Sequence, residues 1–388
     1  MIKNIDKATD RIKQAVANKE RIILYGDSDL DGITSVVILE ETIKNLGGKV
    51  DTVVFPDREN DGYGINLKAL EFLKDKAPAL FITLDLGISN LKEVALANEM
   101  GFEVIIIDHH EPLESLPEAK IIVDPQQKGD SSEFKYLCNG GLVFKISEEI
   151  LQEGLSEKLK DNFLELVALA TIADMMPQIK DNKIFIERGL KSLQKTFRPG
   201  LHVFFDILGE GEIAAGGYLR IISALNAAES IDFKNESYEL LTSHSEENCR
   251  QMSENLLSKT KFKQQKIKEI SQEVERRISK GKSFGTAQDG ESPIVFEGDR
   301  AWKLTLAGPV ASIIASKYEK PTFIFKKGDD ISVGSVRSLK EGQNSVEAMK
   351  SCKDILITYG GHVKASGFRI KTENLEKFKN CLIQYFSK

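Results

Sequence analysis

The chain has 388 residues, 41% of them hydrophobic and 29% charged, with a formal net charge of −6. That balance is one of a globular, two-domain protein; it excludes a disordered or fibrous chain, and no apolar stretch is long enough to span a bilayer. The polar start MIKNIDKATDRIKQ is expected to open a helix rather than serve as a secretory signal, and Cys138, Cys249, Cys352 and Cys381, far apart and without a CxxC pair, are expected as reduced thiols of a cytoplasmic protein.

Along the chain, RIILY (21–25), VDTVVF (50–55), LFITLD (80–85) and VIIID (104–108) read as buried strands. Helix-period segments, ITSVVILEETIKNL, NLKALEFLKDK and SNLKEVALANEM, lie between them. This βαβ alternation predicts an α/β domain, a parallel sheet with helices on both faces, and such sheets bind ligands beyond the carboxyl ends of their strands. No Gly-rich phosphate loop follows any strand. Helices dominate from about residue 140. The stretch SEENCRQMSENLLSKTKFKQQKIKEISQEVERRISK, free of Gly and Pro, predicts one long connector helix. Its basic part, residues 255–283, holds nine Lys or Arg against three Glu, which reads either as a solvated face or as a track for phosphates. Turn residues follow, then a smaller α/β unit with strands near SPIVFE, PTFIFKK and ISVGSV. The expected division is 1–240, a connector helix over 241–283, and 284–388.

The chemistry concentrates after the first strand, in Asp27-Ser28-Asp29-Leu30-Asp31-Gly32. Three alternating carboxylates must repel one another or share a cation. An EF-hand loop also begins this way, but its twelfth position here is Ile38 and a strand precedes it instead of a helix. An aspartyl-phosphate phosphatase would have Thr after DxDG, where this chain has Ile33. Asp85 ends the third strand, Asp108-His109-His110 ends the fourth, and Asp174 follows the apolar helix LELVALATIA. One strand-end Asp reads equally well as a helix cap. Acids and histidines at three strand ends point instead to a metal centre, and mixed Asp and His ligands suit manganese, with magnesium or cobalt as alternatives.

These residues resemble the DHH phosphoesterase family: Asp-His-His follows DxDxDG and TLDLG in order. The RecJ-like branch of single-strand exonucleases is matched further by Pro56-Asp57-Arg58 with Asp61-Gly62-Tyr63-Gly64, by Cys138-Asn139-Gly140-Gly141, by Ala173-Asp174-Met175-Met176-Pro177 and by Asn226-Ala227-Ala228. Gly334-Ser335-Val336-Arg337-Ser338 and Gly360-Gly361-His362 resemble the DHH-associated C-terminal domain. The matches run from about residue 21 to 370. The family usually continues Asn-Ala-Ala with Gly-Arg, where this chain has Glu229-Ser230, and bacterial relatives usually carry an OB-fold for which this sequence has no residues.

The resemblance implies a two-metal centre. Asp27, Asp29 and Asp85 would hold one ion, and Asp31, Asp85, His109 and Asp174 the other, activating a water for in-line attack on phosphorus. Asp108 would orient His109, and His110 would face the scissile phosphate. Arg58, Ser335 and Arg337 would recognise a 5′-end phosphate, His362 in the Gly360-Gly361-His362 stretch would stabilise the scissile phosphate, and Asn226 would join the substrate-binding set. Gly-Gly-His also reads as a tight turn, and Tyr63 reads as a base-stacking ring or as loop packing.

The implied activity is 5′-to-3′ hydrolysis of single-stranded DNA to 5′-mononucleotides, with the second domain closing over the cleft. A single-strand-binding, replication or repair protein is the expected protein partner, and no membrane is involved. A nanoRNase or cyclic-dinucleotide phosphodiesterase would share this chemistry, and an inactive replication scaffold would share only the fold. Without an OB-fold, grip on the strand falls to the cleft and the basic connector, Lys259 to Lys282, which predicts a shallow salt dependence.

Overall fold

A computed structural model describes residues 2–209, 216–279, 292–340 and 342–387, without the side chain of His362. The chain divides into two compact units, Met1–Thr260 and Lys261–Lys388, so the division falls within the helix Glu246–Ser279. The expected boundary near 283, together with Lys280 and Lys282, lies outside the described residues.

The first unit is built on a parallel sheet in the order β2 (Thr52–Val54), β1 (Ile22–Gly26), β3 (Ala79–Leu84), β4 (Phe102–Ile107), β5 (Ile121–Val123). Every residue of β1 and β3 is buried. Successive side chains point to opposite faces. Ile22 and Leu24 therefore join one core with helix α2 (Leu30–Asn45), α5 (Asn139–Leu151) and α6 (Glu157–Ala173), and Ile23 and Tyr25 join another with α3 (Leu67–Leu73) and α4 (Leu91–Glu99). The sheet with helices on both faces is as expected from the sequence. The short strand β5 was not. Chain order reverses between β1 and β3, the switch point where open α/β sheets leave a crevice at their carboxyl ends. Helices α1 (Ile5–Ala17), α7 (Lys180–Leu193), α8 (Pro199–Leu208), α9 (Tyr218–Leu225) and α10 (Glu236–Thr242) also pack into the core on the α2 side; the short strands β6 (Ser230–Ile231) and β7 (Lys234–Asn235) lie between α9 and α10, and α11 (Glu246–Ser279) follows.

The second unit holds the sheet β11 (Leu356–His362), β12 (Ala365–Lys371), β10 (Ile331–Arg337), β9 (Thr322–Lys326), β8 (Val295–Asp299). Strands β8 and β9 are parallel and the rest antiparallel. Phe296, Phe323, Phe325, Phe368 and Phe378 pack on one face. The sequence signalled β8, β9 and β10 but not β11 and β12, whose glycines are poor strand formers. Gly360 and Gly361, read above as a tight turn or as part of the substrate-binding Gly-Gly-His stretch, are paired strand residues opposite Gly367 and Ser366.

One expectation is corrected. Cys352 and Cys381 form a disulfide, with Cα atoms 6.1 Å apart, whereas Cys138 and Cys249 are free and buried. The separation of 29 positions hid the pair in the sequence; helix α14 (Leu375–Phe386) carries Cys381 back beside α13 (Ser345–Lys350), which Cys352 follows. No helix among the described residues is long and apolar enough to cross a membrane.

Candidate metal centre

The crevice at the switch point is lined by the carboxylates that the strands end on. Asp27 follows β1 and is fully buried. The chain then turns into α2, with Asp29 as its N-cap accepting from the Gly32 N–H at 3.1 Å. Gly32 is needed here: a Cβ would sit 2.4 Å from the Asp27 carbonyl oxygen. Asp31, in the first turn of α2, is also buried. The N-terminus of α5 clamps it, Asn139 N–H donating to Oδ2 and Gly140 N–H to Oδ1, both at 2.7 Å. Asp85 sits just past β3 at φ 65°, a left-handed conformation that is strained for a residue with a side chain. The Asn139 amide braces it, its oxygen accepting from Asp85 N–H (2.9 Å) and its nitrogen donating to the Ile107 carbonyl (3.0 Å).

His109 lies at the centre. Its Nδ1 is 3.0 Å from the Leu137 carbonyl. A carbonyl only accepts, so Nδ1 carries the proton and Nε2 is turned toward the acids. Nε2 lies 3.1 Å from Asp85 Oδ1 and 3.6 Å from both Asp31 Oδ2 and Asp174 Oδ2. Three overlapping groups result, each with its ligand atoms within 4.8 Å of one another: Asp27, Asp29 and Asp85; Asp31, His109 and Asp174; and Asp85, His109 and His110. The first group holds the residues of one expected ligand set; the second holds three of the four in the other, whose fourth member, Asp85, touches His109.

Burial and the neighbouring negative charges act together on these acids. They push Asp31 up to about 7 and hold Asp85 and Asp174 well above the usual carboxylate range. Asp85 Oδ1 and Asp174 Oδ2 are buried and take no hydrogen bond among the described residues. Buried acceptor oxygens around one imidazole nitrogen are the donor set of a divalent cation with oxygen and nitrogen ligands, so the residues present fit one.

Other expected site residues take different places. Asp108 is bound to His110 rather than to the ring of His109, with Oδ1 2.8 Å from His110 Nδ1. The reason is that the Leu137 carbonyl already holds the His109 ring. Burial disfavours the His110 imidazolium, but the Asp108 carboxylate outweighs it and raises His110 to about 9, while Asp108 itself is held well below its ordinary value. Tyr63, 48% exposed, places its hydroxyl 3.0 Å from the Asp85 carbonyl and 3.1 Å from His110 Nδ1, with the rings edge to face. Arg58 reaches the acids instead of an open phosphate site: Nε is 2.7 Å from Asp27 Oδ1, and Nη2 contacts Asp27 Oδ2 and lies 3.0 Å from Asp29 Oδ2. Asn226 uses its side-chain oxygen to accept from Leu30 N–H at 3.0 Å, so it holds the aspartate loop. Of the two residues that depart from the family pattern, Ser230 reaches Ser28 (3.1 Å) and Glu229 pairs with Lys259 (3.2 Å). The brace of Asn139 and Gly140 went unassigned in the sequence, although its motif was noticed; no spacing rule connects it to Asp31.

In the second unit, Ser335 and Arg337 lie on one face of β10. Gly308 of helix α12 (Leu304–Tyr318) leaves room for them, since a Cβ there would stand 3.0 Å from Arg337 Nη2 and 3.7 Å from Ser335 Oγ. Backbone register runs from Arg337 through Ala365 to His362, and from Ser335 through Gly367 to Gly360. The His362 side chain lies outside the described residues.

Residues 21–171 match the model of the DHH family, N-terminal domain, and residues 292–388 match the DHHA1 domain. The single-stranded-DNA-specific exonuclease RecJ of Bacillus subtilis is 32% identical over 98% of this chain and 47% of its own length. That of Thermus thermophilus is 28% identical over 97% of this chain and 54% of its own. The chain thus spans about half the length of these two relatives. The crystal structure of an exonuclease RecJ bound to manganese superposes with a TM-score of 0.77 at 26% identity, covering 100% of this chain and 95% of that one. By its ordered metal-centre motifs, its fold and both domain matches, the chain belongs to the DHH family.

Proposed function

We propose that this chain is a metal-dependent phosphodiesterase that hydrolyses single-stranded DNA from the 5′ end, releasing 5′-mononucleotides, with two divalent ions per site and manganese preferred. The observation that carries the reading is the contact of Asp85 with His109, which joins two ligand clusters into one centre. The naming of its relatives as single-strand-specific exonucleases, and manganese in a similar structure, favour this substrate and metal. Bound divalent ions supply Lewis acidity and a nucleophile at neutral pH.

The protein's own part is to hold and orient. The α5 N-terminus fixes Asp31, the Leu137 carbonyl fixes the tautomer of His109, and the strained Asp85 backbone aims its carboxylate. His110, held by Asp108, presents its ring to the phosphate. Arg337 and Ser335 serve as the terminal-phosphate grip, assisted by the Gly360-Gly361-His362 strand. Long strands would be held with help from a partner that has its own strand-binding domain, by raising effective concentration. The working compartment is the cytoplasm.

The test digests 5′-labelled and 3′-labelled single strands beside a dinucleotide, with manganese. Early release of labelled mononucleotide from the 5′-labelled strand alone supports the reading. Turnover of the dinucleotide far above either strand would replace it with a short-oligonucleotide phosphodiesterase. No turnover of anything would leave a scaffold.

A further inference from the structure

His109 is held on one side and faces an acid on the other. The Leu137 carbonyl takes Nδ1 at 3.0 Å, and Asp174 Oδ2 faces Nε2 at 3.6 Å. The residue just before Leu137 is Tyr136, and the residue just after Asp174 is Met175. Both are exposed, Tyr136 at 54% and Met175 at 73%. Asn182, fully buried, ties the two segments together by donating from Nδ2 to the carbonyls of Tyr136 (2.7 Å) and Pro177 (3.0 Å). The Tyr136 ring is supported on one side by Phe134, edge to face with centroids 5.9 Å apart.

A single exposed Tyr or Met requires no explanation. Here one buried amide ties the backbone carbonyls of Tyr136 and Pro177, and the two segments carry Leu137 and Asp174, which face the His109 imidazole. We infer that Tyr136, with Met175 exposed on the segment tied to it, is the platform for the nucleobase adjoining the scissile phosphate. The inference rests on the function proposed above. A phosphodiester seated on the metal centre leaves its neighbouring base one nucleotide's reach away, at the rim of the site. A base presents an apolar face and polar edges. A tyrosine ring meets that face while its hydroxyl stays in water, and a thioether adapts to rings of either size. Stacking of this kind does not read sequence, which suits an enzyme that removes every base in turn.

The experiment compares wild type, Tyr136→Ala and Tyr136→Phe on 5′-phosphorylated strands that are either intact or abasic at the two terminal nucleotides. The readout is the ratio of kcat/KM on the intact strand to kcat/KM on the abasic strand. Tyr136→Ala is expected to lower this ratio by about tenfold, the loss of one stacked base, while Tyr136→Phe preserves it. Equal slowing of both strands by Tyr136→Ala, or no slowing of either, would overturn the inference and leave the ring as packing for the His109 loop. Failure of the wild type to cut either strand would remove the proposed function, and this inference with it.

Discussion

The peptide N–H of Gly140 lies 2.7 Å from Oδ1 of Asp31, across 109 residues of sequence. With the Asn139 N–H on the other oxygen, the first turn of α5 delivers two charge-assisted hydrogen bonds and the positive end of a helix dipole to one buried carboxylate. A Cβ at position 140 would stand 3.2 Å from both Asp31 Oδ1 and Thr34 Oγ1. Gly140→Ala is therefore expected to push Asp31 out of line and weaken manganese binding by about tenfold, the usual cost of losing a support behind a ligand. Titration calorimetry checks it. Unchanged affinity in a folded variant would show that Asp31 holds its place without the clamp.

Asp85→Asn should abolish hydrolysis. Asn is chosen because it tolerates the left-handed backbone at this position better than Ala. Replacing a buried acid whose ionisation burial and its neighbours disfavour should also leave the metal-free chain no less stable than wild type. Hydrolysis retained in manganese, or a clear fall in the melting temperature without metal, would contradict this account.

Arg337→Ala should reduce the preference for a 5′-phosphorylated end more than it slows cleavage of a 5′-hydroxyl strand. A charge-assisted Arg–phosphate contact is worth about 1.5–3 kcal/mol, or roughly tenfold to a hundredfold in affinity. Rates on the two strands decide it: equal losses would move Arg337 to the scissile phosphate.

Gly189→Ala should destabilise the first unit without touching the site. Helices α6 and α7 cross so closely at this residue that a Cβ would lie 2.0 Å from the Leu164 carbonyl oxygen. The expected cost is about 1–3 kcal/mol, typical of overpacking. Chemical denaturation measures it, and a change below experimental error would mean that the helices separate freely.

The sequence by itself determined the sheet that positions the centre and which residues could bind metal. Buried β-branched runs alternating with helices specify parallel strands, and parallel strands put their carboxyl ends on one edge. Asp27, Asp85 and His109 are therefore neighbours wherever the rest of the chain goes. What only the tertiary structure decided is which partner each polar group takes. Asp108 binds His110 because the Leu137 carbonyl reached the His109 ring. Asn226 caps Leu30, Arg58 turns onto Asp27, and Cys352 finds Cys381. Strands β11 and β12 form from glycine-containing segments because β10 offers an edge to pair with. Periodicity is a local property that a single segment carries. A hydrogen bond between residues 28, 109 or 196 positions apart depends on distances that exist only after the segments pack.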